Sequence, residues 1–186
     1  MENLIEYILQ FGNLNKQQTD LIRNKVREVE LKKDAYFSEA GKIPRQVGFI
    51  LEGVVRGCYY NNKGEEITRC FITENNLVVD YVNFEANSAS SEYLQASTDC
   101  KLLVFSKQDW EELSHTIVDW DSIKNKMVQK CLYQKSRRRK LYGPGQSSRK
   151  MYRRRNPSGL APKYRVRPRE NYLCRSQQLP NWFAAN

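Results

Sequence analysis

The chain has 186 residues, 28% of them charged, and a formal net charge of +10, a length that suits one medium domain with a tail or a second small domain. The excess of basic over acidic side chains lies entirely at the end of the chain. Residues 1–135 hold 17 basic and 20 acidic side chains, whereas residues 136–186 hold 14 basic side chains and one acidic one. A terminal segment of this sign and density attracts polyanions, of which DNA and RNA are the most obvious.

The sequence excludes several classes of protein. No run of about 18 apolar residues is present, and the acidic, amphipathic start of the chain differs from a signal peptide. We therefore expect a soluble, cytoplasmic protein with no membrane partner. Because His115 is the only histidine, no Ser-His-Asp or Cys-His constellation can be assigned, and we expect no catalytic residues and no enzyme activity.

The five cysteines are scattered and show no C-x-x-C spacing. This pattern argues against a metal site or a haem, and it predicts that no cofactor is required. Cys70 and Cys100 fall in predicted strands, so buried and inert thiols are the preferred interpretation. Redox sensing by Cys58 or Cys70 is the alternative.

Apolar residues at helical spacing predict two helices at the start of the chain. The first contains the apolar residues of Leu4–Leu9, and the second covers Gln17–Val29 with Asn15 as its N-cap. We expect the first strand over Leu31–Phe37, directly after the second helix.

The stretch from residue 45 to residue 105 is organised as short strands separated by turns. Gln46–Asn61 alternates with a period of two, which predicts a half-buried strand with Val47 and Phe49 on one face. Gly53 and Gly57 interrupt this strand and indicate a bend or bulge, of the kind that barrels use at corners.

Residues 61–64, with the sequence Asn-Asn-Lys-Gly, predict a tight hairpin turn, because Asn and Gly tolerate a positive φ. Ile67–Thr73 is the predicted partner strand after this turn. Two further strands are expected at Tyr93–Ser97 and Cys100–Phe105.

Two helices are predicted after the last strand. The short one covers Lys107–Leu113 with Ser106 as N-cap, and the long one covers Val118–Lys140. An apolar stripe on the long helix either packs back on the protein's own β-core or pairs with its copy in a homodimer, and we favour the homodimer. The stripe consists of Trp120, Ile123, Met127 and Cys131.

Beyond Lys140 all periodicity is lost, and five of the six prolines lie here. This composition predicts disorder in isolation. The chain is thus divided into a domain (1–115), a long helix (116–140) and a basic tail (141–186). Clustered arginines near neighbouring tyrosines are candidates for nucleic-acid contact, although charge runs are usually only solvated. The arginines are Arg137, Arg138, Arg139, Arg153, Arg154 and Arg155.

The order of elements and two segments resemble the cyclic-nucleotide-binding domain of the Crp/Fnr family of bacterial transcription regulators. The segments are ILEGVVRGCYYNNKGEEITRCF, similar to the family's hairpin, and LVVDYVNFEANSASSEYLQASTDCKLLVFSKQDWEEL, similar to its phosphate-binding cassette. The resemblance implies a mainly β, α+β fold: a double-stranded β-helix or jelly roll with N-terminal helices and a long C-terminal helix. It also implies a homodimer that binds DNA in its intact form.

The resemblance places Val79 and Asp80 where nucleotide-binding members have a Gly-Glu pair for the ribose. Ser90 and Ser91 stand where those members have an Arg-Ser or Arg-Thr pair for the cyclic phosphate. The serine hydroxyl cannot replace the bidentate contact of an arginine, which is worth about 1.5–3 kcal/mol, or about one to two decades of affinity. We therefore expect weak or no cyclic AMP binding and an unknown effector. The alternative is that these are loop residues with no ligand.

Family members follow the long helix with a winged helix-turn-helix, but none can be read here, and Pro180 interrupts the place where a recognition helix would run. Either the tail is a natural basic segment, or the reading frame is displaced after Lys140. The leading hypothesis is a sensory regulator whose DNA-binding region is degenerate or lost. The alternative is a stand-alone binding module whose basic tail meets an acidic partner.

Overall fold

A computed structural model describes residues 1–133, and every structural statement below concerns that part of the chain. It contains two N-terminal helices, eight strands with a short helix among them, and two further helices. The elements are α1 (Glu2–Leu9), α2 (Lys16–Lys25), β1 (Arg27–Leu31), β2 (Tyr36–Ser38), β3 (Gln46–Glu52), β4 (Val55–Tyr60), β5 (Glu66–Ile72), β6 (Leu77–Val78), α3 (Tyr81–Glu85), β7 (Tyr93–Ala96), β8 (Cys100–Ser106) and α4 (Lys107–Thr116), followed by α5, described over residues 120–133.

The strands form two four-stranded sheets, ordered β1-β8-β3-β6 and β2-β7-β4-β5, in which neighbouring strands are antiparallel. One apolar cluster, with Ile50, Leu94 and Leu102 among its members, contains buried side chains from both sheets. A second cluster contains Val47 and Phe49 of the first sheet together with side chains of α1, α2, α4 and α5, and we call it the helical cluster. The predicted α+β, mainly β roll with helices at both ends is confirmed.

Gly53 marks the corner at which the chain leaves the first sheet and enters the second. Its φ is +98°, and a Cβ atom at this position would lie 2.5 Å from the carbonyl oxygen of Asp99. Both observations require glycine. A register shift opposite Gly57 and Cys58 leaves Arg69 as an extra residue in β5. The predicted bend and bulge are therefore confirmed.

The prediction that β3 is half-buried is wrong. Val47 and Phe49 belong to the helical cluster, whereas Ile50, on the opposite face of the strand, belongs to the cluster between the sheets. Both faces are buried because the helices cover the Val47 and Phe49 face, and the second sheet covers the opposite face, which holds Ile50 and which a half-buried strand would leave to solvent.

The boundary between α2 and β1 also differs from the prediction. Asn15 caps α2 as expected: its side chain accepts from the backbone N–H of Gln18, and its own backbone N–H donates to the Gln18 side chain, in a capping box. The helix ends at Lys25, and Arg27–Leu31 is a strand paired with β8. In this segment charged and apolar residues alternate, and pairing with a buried strand outweighs the helical spacing of the valines.

Candidate ligand-binding site

The cassette is the segment of residues 77–92, which links β6 to β7 and contains α3. Val79 is buried in the helical cluster and contributes an apolar side chain to it. Asp80 precedes α3, but its side chain makes no capping hydrogen bond to the helix backbone. It is instead turned toward Ser90, ten residues further along the chain. Ser91 is exposed.

The structure brings Asp80 and Ser90 into direct contact. The Ser90 hydroxyl lies 2.6 Å from Oδ2 of Asp80, and Nδ2 of Asn83 donates to the same oxygen at 2.7 Å. The Ser90 oxygen also lies 2.8 Å from the carbonyl oxygen of Glu92 and accepts from its backbone N–H at 3.2 Å. Ser90 is 3% exposed. The two positions that the resemblance assigns to ribose and phosphate are therefore hydrogen-bonded to each other.

The backbone of Ser90 is held as firmly as its side chain. Its carbonyl oxygen accepts from the N–H of Gly41 at 2.7 Å, and its N–H donates to the carbonyl oxygen of Lys42 at 2.9 Å. Gly41 has a φ of +82°, so the loop that supplies these contacts turns tightly at that residue. The position of the Ser90 hydroxyl is thus fixed by a loop outside the cassette.

An ion pair lies next to this contact. Nη1 of Arg69 is 3.1 Å from Oε2 of Glu92, with the arginine side chain 47% exposed and the glutamate side chain 8% exposed. Arg69 is the extra residue of the bulge in β5, and a bulge redirects a side chain relative to the regular strand. The sequence alone does not indicate that Arg69, Glu92 or Asn83 belongs to the site. Only the acidic residue directly after the two serines was available as a signal.

These contacts do not fit a cyclic nucleotide. The Asp80 carboxylate accepts from Ser90, and the Glu92 carboxylate pairs with Arg69, so this part of the fold brings two carboxylates and one guanidinium. A phosphate bound here meets a net negative charge in a partly desolvated site. No arginine stands at position 90, and the serine there already donates to a carboxylate of the protein.

The buried thiols match the inert interpretation of the cysteines. Cys58, Cys70, Cys100 and Cys131 are buried. Burial raises the pKa of Cys58 to about 11 and also raises the pKa of Cys100. A thiol with a raised pKa holds little thiolate at neutral pH, which argues against redox sensing. Residues 1–133 contain no group of three or more His, Cys, Asp or Glu side chains placed to hold a metal.

The apolar stripe of α5 packs against the protein's own domain, which is the first of the two alternatives that the sequence left open. Trp120, Ile123, Met127 and Cys131 are between 0 and 8% exposed within the single chain. Trp120 packs at right angles on Trp110 of α4, with ring centroids 5.5 Å apart. Within the single chain these four side chains are buried by the protein's own fold. Dimerisation itself stays a prediction.

The candidate nucleic-acid residues Arg137, Arg138, Arg139, Arg153, Arg154 and Arg155 lie outside the described residues. The same holds for the last part of the long helix and for the whole basic tail. Among the helices of residues 1–133, none has the length and apolar character needed to span a membrane.

Residues 28–116 match the family model of the cyclic nucleotide-binding domain. The catabolite activator protein of Thermus thermophilus has a similar structure, with a TM-score of 0.58 at 16% identity over 70% of this chain and 61% of that one. A cyclic nucleotide-binding domain from Methylobacillus flagellatus gives a TM-score of 0.64 at 16% identity over 88% of this chain and 86% of that one.

The sensor domain of the transcriptional regulator DNR from Pseudomonas aeruginosa gives a TM-score of 0.59 at 17% identity, over 72% of this chain and 88% of that one. The chain spans less than two thirds of the length of the Thermus protein. No curated protein sequence matches it.

The two sheets, the flanking helices and the family match point to the same domain. Residues 28–116 form a cyclic nucleotide-binding domain, similar to those of Crp/Fnr regulators. The resemblance predicted from the hairpin and cassette segments is thereby confirmed. At these identities the structural likeness shows the fold, and the chemistry of the cassette has to be judged from its own residues.

Proposed function

We propose that this protein is a sensory regulator of the Crp/Fnr type whose roll does not bind cyclic AMP in the usual way. The observation that carries the proposal is the hydrogen bond from Ser90 to Asp80 inside a roll of this family. The fold supports a regulatory protein. The hydrogen bond between Asp80 and Ser90, which stand at the positions assigned to ribose and phosphate, supports an effector other than cyclic AMP, or no effector. In this proposal the intact form is a homodimer that binds DNA, and the region after α5 is a degenerate or lost DNA reader.

A second candidate is a stand-alone module with a basic tail. It is favoured by the burial of the α5 stripe, because a helix whose apolar face is already covered does not need a partner chain for its stability. The basic tail then meets an acidic partner through its charge alone.

Fluorescence polarisation of the full chain with duplex DNA across a salt series separates the two candidates. If the DNA-reading region is degenerate but still works, the chain discriminates between duplex sequences, and its preference persists as salt rises. A purely electrostatic tail binds all duplexes alike, with a steep dependence on salt. Equal binding to unrelated duplexes at every salt concentration would rule out sequence-specific regulation by this chain.

A charge-matched pair of variants makes this experiment sharper. Replacing Arg153, Arg154 and Arg155 by glutamine lowers the salt slope by about one unit for each phosphate that is no longer neutralised. The control carries the same reduction of charge at three exposed lysines of the roll. These are Lys32, Lys63 and Lys101. An equal effect of the two triple variants would show that net charge, rather than the tail, determines DNA affinity.

A further inference from the structure

α3 depends on contacts outside itself. It has five residues, and its N-terminal flanking residue Asp80 gives it no side-chain cap. A helix of this length is not stable alone, because nucleation costs more than its few hydrogen bonds return. Its position is therefore determined by what holds Asp80 at one end and Phe84 at the other.

Asp80 is held through two donors. Its carboxylate is nearly buried, and it accepts from Ser90 at 2.6 Å and from Asn83 at 2.7 Å. Asn83 belongs to α3 itself, so within residues 1–133 only Ser90 connects the carboxylate to another part of the fold. A buried carboxylate that loses a donor retains its desolvation cost without compensation.

We propose that the hydrogen bond from Ser90 to Asp80 is a latch that holds α3 against the start of β7 without any ligand. The same two residues stand at the positions that the family resemblance assigns to ribose and phosphate. The Ser90 hydroxyl and the Asp80 carboxylate thus bind each other, where the resemblance would have each of them bind a nucleotide. The latch rests on the proposed function, which identifies residues 77–92 as the cassette of a regulator of this type.

The far end of α3 is connected to the helices that follow the roll. Nζ of Lys107, the first residue of α4, donates to the carbonyl oxygen of Phe84 at 2.6 Å and lies 5.0 Å from the centre of its ring. Phe84 is buried in the helical cluster together with Trp110 and Trp120. A latched α3 therefore fixes the start of α4 and, through the shared core, α5.

Hydrogen–deuterium exchange of the full chain, with neither nucleotide nor DNA present, tests the latch. The amides to follow are those of Phe84 and Ala86, which donate within α3 to the carbonyl oxygens of Asp80 and Val82. In Ser90→Ala we expect these amides to exchange at least about tenfold faster, which corresponds to about 1.4 kcal/mol, while amides in β3 and β8 keep their protection.

Three further variants complete this test. Ser91→Ala removes the neighbouring exposed hydroxyl and should leave α3 protected, and Ser90→Thr, which retains a hydroxyl, should restore protection. Asp80→Asn retains an acceptor but loses the charge, so we expect a smaller acceleration, and this variant is used if Ser90→Ala does not fold. Unchanged exchange of α3 in both Ser90→Ala and Asp80→Asn would overturn the latch. That result would leave the proposed regulatory class standing, since DNA binding is measured separately.

Discussion

The helical cluster and the cassette are neighbours in one domain, and opposite kinds of contact stabilise them. The helical cluster consists of buried aromatic and aliphatic side chains, such as Trp110 and Trp120, whose attraction depends on area and packing. The cassette is held by a few polar contacts between nearly buried groups, such as Asp80 and Ser90. Three buried side chains, Leu77, Val79 and Phe84, belong to both.

The difference explains how a fold is retained at 16–17% identity while its chemistry changes. Apolar contacts tolerate many substitutions, provided that volume and pattern are kept. Hydrogen bonds between buried polar groups do not tolerate substitution in this way, because replacing one partner leaves the other polar or charged group buried without compensation. The fold therefore follows from the apolar pattern, whereas the ligand depends on a handful of polar positions.

The largest expected effect comes from breaking the helical cluster. Trp120→Ala removes a fully buried indole from its contact with Trp110, and we expect a loss of about 3–5 kcal/mol in the free energy of unfolding, measured in urea. The control is Val118→Ala two residues earlier, where the side chain is 95% exposed and the change should stay within about 0.5 kcal/mol. A small effect of Trp120→Ala would mean that α5 does not pack on the domain.

A smaller effect is expected in the polar contacts of the cassette. Arg69→Ala leaves the Glu92 carboxylate, of which only 8% is exposed, without its guanidinium partner. Because the arginine is half exposed and screened by solvent, we expect a cost of about 1–2 kcal/mol in urea unfolding, well below the value for a fully buried pair. Arg45→Ala, at an exposed arginine, is the matched control. If the two variants are equally stable, the ion pair does not contribute to the cassette.

The smallest effect concerns an exposed carboxylate away from both regions. Hydrogen bonding from the backbone N–H of Lys33, at 2.8 Å, is the first cause that lowers the pKa of Asp99 from its ordinary 3.8. Because the pKa of Asp99 is lower in the folded state than in the unfolded state, its contribution to stability is complete above the ordinary pKa of 3.8. This contribution is lost as the pH falls through the folded-state pKa. Thermal unfolding between pH 7 and pH 2 should therefore show a shallower acid loss in Asp99→Asn than in the unaltered chain. Identical acid profiles would contradict the assignment.

Much of the fold could be predicted because its signals are local. The N-caps at Asn15 and Ser106 act within three residues of chain, and Gly53 and Gly64 have the positive φ that their turns require. The boundary between α2 and β1 could not be predicted in this way. The strand there depends on pairing with β8, whose residues lie 69 to 77 positions further along the chain, from Leu31↔Cys100 to Arg27↔Val104.

The contacts of the candidate site could not be predicted. The family resemblance assigned Asp80 and Ser90 to the cassette, but nothing in the sequence indicates that the two side chains bond to each other. Arg69 and Glu92 are 23 residues apart, and their contact depends on a bulge. For the α5 stripe, periodicity identifies the apolar face but not what covers it. Here that face packs on the protein's own core.

Calorimetric titration with cyclic AMP and cyclic GMP tests the central claim most directly, when the unaltered chain is compared with the double variant Ser90→Arg, Glu92→Gln. The variant supplies the missing guanidinium and removes one carboxylate. We expect no tight binding of either nucleotide to the unaltered chain and at least about tenfold stronger binding of cyclic AMP to the variant. Tight binding of either nucleotide to the unaltered chain would contradict a cassette closed by its own residues.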